Sequence, residues 1–244
     1  LVSSYGPLAL KWNYIPKMFN WFLHYFKNCN QKSMMHTAKY MHQILSLSND
    51  AYEEIFREIN TTDLVEKKGI IYIWTNKNLK SRKLEIKVRE ELGIEQKLLT
   101  QKEVLDLEPN LQPVFDAGVI YERAMHAKDP HGILKKIFKL FLQRGGKFIQ
   151  SNVKAIEQIN INETAIRAEN EEYKFEKTVI ASGAFSKFLT DQLGENIPLD
   201  TERGYHVHFK GKDHLISRPV IFLDRGFGMT PMNQGLRAVG TVEL

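Results

Sequence analysis

His206 and His208 stand two apart in the alternating stretch RGYHVHFK, and His126 and His131 flank the pair Asp129-Pro130. Residues i and i+2 of a strand share one face, so the first pair is spaced to hold a metal ion together. A metal site needs a third ligand and groups that orient the imidazoles. The chain has a single cysteine, Cys29, and no HExxH stretch, so strand-face histidines are the simpler reading. Nucleophilic hydrolysis lacks its signature too, because no G-x-S-x-G occurs. Gly226-Phe227-Gly228 is only a G-x-G, with Pro231 where a third glycine would stand. Neither a Walker loop nor a dinucleotide fingerprint is present.

One junction remains. In EKTVIASGAFSKF, residues 176–188, an apolar strand over Thr178–Ala181 is expected to run directly into Ser182-Gly183-Ala184, with a helix beginning just after. A strand ending in small residues lets something large lie against its backbone, because Gly183 has no Cβ to hold it off. The same residues also describe a tight strand-to-helix turn beside nothing.

The elements that must position such groups come from a chain of 244 residues, 43% hydrophobic and 26% charged, enough for one large or two modest domains. The net charge of +5 is spread along the chain, which gives little reason to expect a nucleic-acid partner. The densest basic run, Lys135-Lys136 with Lys139 and Arg144, reads as a solvated helix face. One cysteine excludes an intrachain disulfide and fits a reducing compartment. No apolar run reaches the roughly 18–20 residues of a membrane span. No signal peptide is read. A start at Leu1 and an end in mid-strand at Thr241-Val242-Glu243-Leu244 are what an internal fragment would show.

Periodicity predicts a helix over PKMFNWFLHYFKNC, a second over about 32–59, a strand over 68–76, a charged helix over 79–92 and a short helix opened by the capping box Thr100–Glu103. AGVIYE is a strand, and Asp129-Pro130 starts a helix with Ile133, Ile137, Leu140 and Phe141 as its stripe and Gly145-Gly146 as its end. KFIQSNVKAIEQI reads as one or two strands, and TAIRAENEEYKFEKTVIASG as a hairpin leading into the junction. From 203 onward the pattern is nearly all β, with a turn at Asn233-Gln234-Gly235.

Together, in chain order, the Asp129-Pro130 helix, RGGKFI, Val153 in SNVKAIEQI, VIASGAFS after a hairpin, IPLDTERGYHVHF and MTPMNQGLRAVGTVEL resemble the D-amino-acid oxidase-like family of FAD-dependent amine and amino-acid oxidoreductases. WFLHYFKNC and KKGIIYIW look like its bacterial D-amino-acid dehydrogenase branch. The resemblance implies a mixed α/β (α+β) fold, in which an incomplete Rossmann-like FAD-binding domain interleaves with an antiparallel-sheet substrate domain. Residues 1–110 and 195–244 would fall on the substrate side, and 111–194 on the flavin side. It implies oxidation of the C–N bond of a D-amino acid to an imine and then a 2-oxo acid. A glycine- or sarcosine-type amine oxidase and a non-catalytic flavin-fold module are the alternatives.

The family's G-x-G-x-x-G would lie outside the stretch matched here. FAD would then lie against Val153, Ser182, Gly183 and Ala184. The substrate contacts implied are Arg203, Tyr205, His206, Met229 and Thr230, with Arg203 as first candidate for the carboxylate because a guanidinium makes two charge-assisted bonds to it. A surface salt bridge with Glu202 or Asp200 is the other reading of Arg203. Ser3, Ser4 and Tyr5 would approach the flavin ring. The electron acceptor implied is quinone-linked and the location cytoplasmic. The basic, aromatic stretch 11–27 would make a peripheral contact with the inner membrane, or would pack on the substrate domain.

Overall fold

The computed structural model describes residues 8–9, 16, 19–76 and 79–243. Ser3, Ser4, Tyr5, Lys11, Trp12, Tyr14, Lys17 and Met18 lie outside them. In chain order the elements are β1 (Leu8–Ala9), α1 (Phe19–Asn28), α2 (Gln31–Leu45), α3 (Ser48–Ile59), β2 (Val65–Glu66), β3 (Ile70–Trp74), α4 (Leu79–Glu91), β4 (Lys97–Thr100), α5 (Gln101–Leu107), β5 (Ala117–Tyr121), β6 (His126–Ala127) and α6 (Pro130–Gln143). There follow β7 (Ala155–Asn160), β8 (Glu163–Arg167), β9 (Glu172–Phe175), α7 (Ser186–Thr190), β10 (Arg203–Phe209), β11 (Val220–Phe222), β12 (Phe227–Met232) and β13 (Gly235–Glu243). The chain divides into two compact units, Leu1–Phe141 with Arg203–Leu244, and Leu142–Glu202. These bounds differ from the 111 and 194 expected, because β5 is an inner strand of the first unit, paired with β3 and β4.

The first unit is built on an eight-stranded sheet, β1-β13-β12-β11-β3-β5-β4, with β10 also paired to β13. β11 runs parallel to β3 and β1 parallel to β13, while the other pairs are antiparallel. β-Branched and aromatic residues on alternate positions make this possible, since a pleated strand sends them to one face. Ile71, Ile73, Val220, Phe222 and Leu236 share a buried cluster with Val104 of α5 and Phe115. α5 is fixed by its capping box, in which the Thr100 N–H donates to Glu103 at 2.8 Å and the Glu103 N–H to Thr100 Oγ1 at 3.3 Å. Glu108, only 2% exposed, accepts from the Ser217 N–H at 2.8 Å and from Arg218 Nε at 3.0 Å. It thereby anchors the approach to β11.

Two helical expectations change. The helix over 32–59 is broken into α2 and α3, because the Ser48 hydroxyl bonds the Leu45 carbonyl at 2.6 Å, and a serine that captures a carbonyl competes with the helix ladder. α6 begins where expected, with Asp129 accepting from the Gly132 N–H at 2.9 Å. Its stripe, however, is only half covered, and none of its residues is buried.

The second unit is a small antiparallel meander, β7-β8-β9, with Ile156, Ala165, Ala168 and Leu189 as its buried apolar residues. KFIQSNVKAIEQI supplies a single strand, β7, and Phe148 and Ile149 stay exposed. The strand expected over Thr178–Ala181 is not formed, and Val179 is 87% exposed. A strand exists only through pairing, and no described strand lies beyond β9 to pair with it. The helical turn after the junction is present as a 3-10 turn, Gly183–Phe185, continuing into α7.

Candidate functional site

The substrate residues expected from sequence all lie on β10 and β12, and the register sorts them onto two faces. Across β13, Thr230 and His208 both stand opposite Arg237, and Gly228 and His206 both stand opposite Val239. The His206 and His208 rings meet edge to face at 5.2 Å, as residues i and i+2 of one strand should. Among the described residues no three His, Cys, Asp or Glu side chains converge. Met229 opposes Ala238 and packs on the buried cluster, so it supports β12 from the core side.

On the face away from that core lies a groove of about 440 Å³ whose lining includes His206, Gly228, Thr230, Arg237, Val239 and Gly240. Two of these are glycines in mid-strand. A Cβ on Gly240 would meet Phe227 Cβ at 3.0 Å, and one on Gly228 would meet Ile221 at 3.3 Å. Glycine at these two positions lets Phe227 and Ile221 pack closely on the sheet. Among the described residues no Asp or Glu lines the groove. Arg237 is the only Lys or Arg among the described residues that line it, and its Nε is buried with no hydrogen-bond partner among them.

Arg203 sits elsewhere. Its side chain is 71% exposed and pairs with Glu243, directly opposite on β13, at 3.4 Å. The Tyr205 hydroxyl donates to the same carboxylate at 2.6 Å. Tyr205 and Glu243 both hold the guanidinium above its ordinary pKa. The salt bridge read as an alternative does form, but with a residue 40 positions away rather than with Glu202 or Asp200.

The four residues expected at the cofactor all fall in the second unit. Val153 is 37% exposed, two residues before β7. Ser182 precedes the 3-10 turn, and its carbonyl accepts from the Phe185 N–H at 3.1 Å. Gly183 has φ +57 and nothing within 4 Å of an added Cβ, so backbone is open to solvent there. Gln192, which sequence reasoning missed, ties the two segments. Its side chain accepts from the Ile156 N–H at 3.2 Å and donates to the Lys154 carbonyl at 3.4 Å and the Phe188 carbonyl at 3.2 Å. Arg237 was also missed, though an Arg within GLRAVGTV is a visible signal: a charge in an otherwise apolar strand needs a reason.

A larger groove of about 820 Å³ lies against α2 and α4, lined by Met34, Met41, Leu45, Val88 and Leu92 among others. It contains none of the residues expected to bind ligand. The smaller groove brings Arg237, whose Nε has no partner among the described residues, together with His206 and Thr230, and polar groups converging in a concavity are what a ligand site needs.

Comparison with known proteins gives these features a context. The chain is 27% identical over 245 residues to D-amino-acid oxidase of Bradyrhizobium diazoefficiens, an alignment covering 100% of this chain and 58% of that protein. It is 23% identical to D-amino acid dehydrogenase of Vibrio atlanticus, over 100% of this chain and 60% of that one. The chain therefore spans about 60% of the length of these relatives. Among solved structures, L-proline dehydrogenase from P. horikoshii superposes with a TM-score of 0.71 at 19% identity, over 81% of this chain and 54% of that one. Glycine oxidase from Geobacillus kaustophilus gives 0.67 at 18% identity, over 82% and 54%. These likenesses show the fold, mixed α/β and that of flavin enzymes. Residues 12–244 match the family described as FAD dependent oxidoreductase, whose cofactor is in its name, and the chain belongs to that family.

Proposed function

We propose that the protein oxidises the C–N bond of a small D-amino acid, with FAD as its cofactor. The observation that carries this reading is the groove on the sheet of the first unit, which among the described residues holds one arginine, its Nε without a partner, and no carboxylate. An amino acid brings a carboxylate and a compact side chain, and both suit such a groove.

The residues of the second unit fit a flavin in one observable respect. At Gly183 the backbone is open where a Cβ would otherwise stand, with Ser182 and Ala184 on either side. Val153 is half exposed beside the segment that Gln192 ties to the turn. These four would hold FAD through backbone contacts. FAD, when bound, supplies the two-electron acceptor that side chains lack. The chain's own task is to bind and orient the substrate. Thr230 and His206 present a hydroxyl and an imidazole to the groove, and Arg203 and Tyr205, joined through Glu243, form a polar rim at one end of β13.

In this reading the product is an imine that hydrolyses to a 2-oxo acid, and the electrons pass to a quinone-linked carrier. No helix among the described residues is long and apolar enough to cross a membrane. α1 exposes Phe19, Trp21 and Phe26, a surface suited to a peripheral membrane contact.

The test is to load the protein with FAD without oxygen and follow bleaching of its visible band with D-alanine, L-alanine, glycine and sarcosine. Fastest bleaching by D-alanine supports the proposal. Preference for glycine or sarcosine selects an amine oxidase, and bleaching by L-alanine alone, or failure to hold flavin, overturns the proposal.

A further inference from the structure

We infer that α1 and α2 form a docking surface for an anionic lipid bilayer. The inference deepens the peripheral membrane contact in the proposed function, on which it rests, by naming the lipid charge and the residues that read it.

Charge is the first observation. By total count the chain reads as evenly basic, but the surplus has one source. Residues 1–49 hold five lysines and no Asp or Glu, whereas residues 50–244 hold 29 Lys and Arg against 29 Asp and Glu. The whole net charge of +5 therefore sits in the segment that contains α1 and α2. Lys27, Lys32 and Lys39 are exposed, and neither helix has a carboxylate to pair with them. A basic segment without acids is attracted to an anionic surface, each lysine contributing separately.

Apolar exposure is the second. On α1, Phe19, Phe22, Leu23 and Phe26 recur at the spacing of one helix face, with Asn20, His24 and Lys27 on the other. Such a stripe ordinarily lies on a core, yet α1 has no buried residue. Trp21 stacks on Tyr25 at 5.1 Å and Phe22 on Phe26 at 6.2 Å, so rings are held in pairs one turn apart. On α2, Lys32, His36 and Lys39 share a face by the same spacing, while Met34, Met41 and Leu45 line the larger groove. Aromatic rings and lysines together suit the boundary of a bilayer, where the rings enter and the ammonium groups stay among the phosphates. No described helix is long and apolar enough to cross a bilayer, so α1, about 15 Å long, would lie along it. α6 is the competing surface, since it joins Leu134, Phe138 and Phe141 to Lys135, Lys136 and Lys139. There, however, Lys136 is already held by the Asn60 carbonyl, and a carboxylate, Asp129, caps the helix start.

The experiment mixes the protein, supplied with FAD, with sedimentable vesicles of phosphatidylcholine alone or of equal parts phosphatidylcholine and phosphatidylglycerol. The anionic vesicles should bind it on the order of a hundredfold more tightly, at about fivefold for each of three engaged lysines. Added salt should release it. Lys27→Gln, Lys32→Gln and Lys39→Gln combined should remove most of that preference, and Trp21→Ala should weaken binding to both vesicles. The matched control, Lys135→Gln, Lys136→Gln and Lys139→Gln on α6, should stay within about twofold of wild type. If a variant does not fold, the lipid and salt dependence of the wild type carries the test. Equal binding to both vesicles, an equal loss in the α6 control, or no binding overturns the inference. So does a dimer that the α1 and α2 variants abolish, which would assign the face to a second copy of the chain. Bleaching of the flavin by D-alanine without vesicle binding defeats the surface and leaves the proposed oxidation standing. Selective binding to anionic vesicles without bleaching defeats the oxidation and leaves the surface.

Discussion

Val220-Ile221-Phe222 and Thr178-Val179-Ile180-Ala181 are near twins as sequences. Each is a short apolar run with β-branched residues, and each runs on toward glycine. The first is strand β11, with β3 on one side and β12 on the other, and its Val220 is 1% exposed. The second forms no strand, and its Val179 is 87% exposed. The runs themselves explain little of this difference. β11 is delivered to its place by Glu108, which grips Ser217 and Arg218 just before the strand begins. Two neighbouring strands then satisfy its backbone. Residues 178–181 follow the edge strand β9 of a three-stranded sheet, with no described strand to pair against. Strand formation here is decided by the supply of partners, because an extended backbone gains its hydrogen bonds only from neighbours.

The sharpest way to break the comparison is to truncate an apolar side chain in each run. Phe222→Ala should cost about 3–5 kcal/mol, because the ring is 3% exposed and leaves a cavity. Val179→Ala should stay within about 0.5 kcal/mol. Urea unfolding of both variants measures the contrast, and comparable losses would mean that residues 178–181 are packed after all. Next in size is the anchor. Glu108→Ala should cost about 3 kcal/mol, since it leaves Arg218 Nε and the Ser217 N–H without their shared partner. Amide exchange should then rise first along β11, and uniform exchange across the sheet would remove the anchoring role.

A smaller effect separates two glycines. Gly235, with φ +129, would drive a Cβ into the Phe209 backbone oxygen, whereas Gly183, with φ +57, would meet nothing within 4 Å. Gly235→Ala should cost about 1–3 kcal/mol through strain and overpacking. Gly183→Ala should cost only about 1–2 kcal/mol, from the left-handed backbone alone. If flavin lies against Gly183 as proposed, that milder variant should nevertheless lose bound FAD, which absorbance after gel filtration would show. Unchanged flavin content would separate Gly183 from the cofactor.

The smallest expected effect concerns pH. His126 on β6 is 8% exposed, and burial lowers its pKa from the ordinary value. The unfolded chain then binds a proton that the folded His126 refuses. Stability is therefore lost as pH falls below the unfolded histidine value of about 6.5 toward the lower folded value. Melting curves on either side of that value should show a steeper acid loss for wild type than for His126→Leu. Parallel pH profiles would place the acid sensitivity in other groups.

Local signals in the chain settled much of this. The Thr100–Glu103 capping box, the Asp129-Pro130 helix start, the strand before Thr75 and the hairpin turned at Asn233-Gln234 all depend on residues within a few positions of each other. Alternation expects Arg203 and Tyr205 on one face and His206 on the other, but the register shifts between Gly204 and His206, and Tyr205 and His206 both line the groove. Tertiary structure decided the rest, because the deciding partner lay far along the chain. Glu243 claimed Arg203 from 40 residues away. Gln192 reached back 36 residues to the Ile156 N–H. Arg237 is left with a partnerless Nε among the described residues only because β10 and β12 close on either side of β13 and set Thr230 and His208, not a carboxylate, opposite it. A sequence shows which side chains can do chemistry, but the fold determines which are already engaged by the protein and which remain free to meet a ligand.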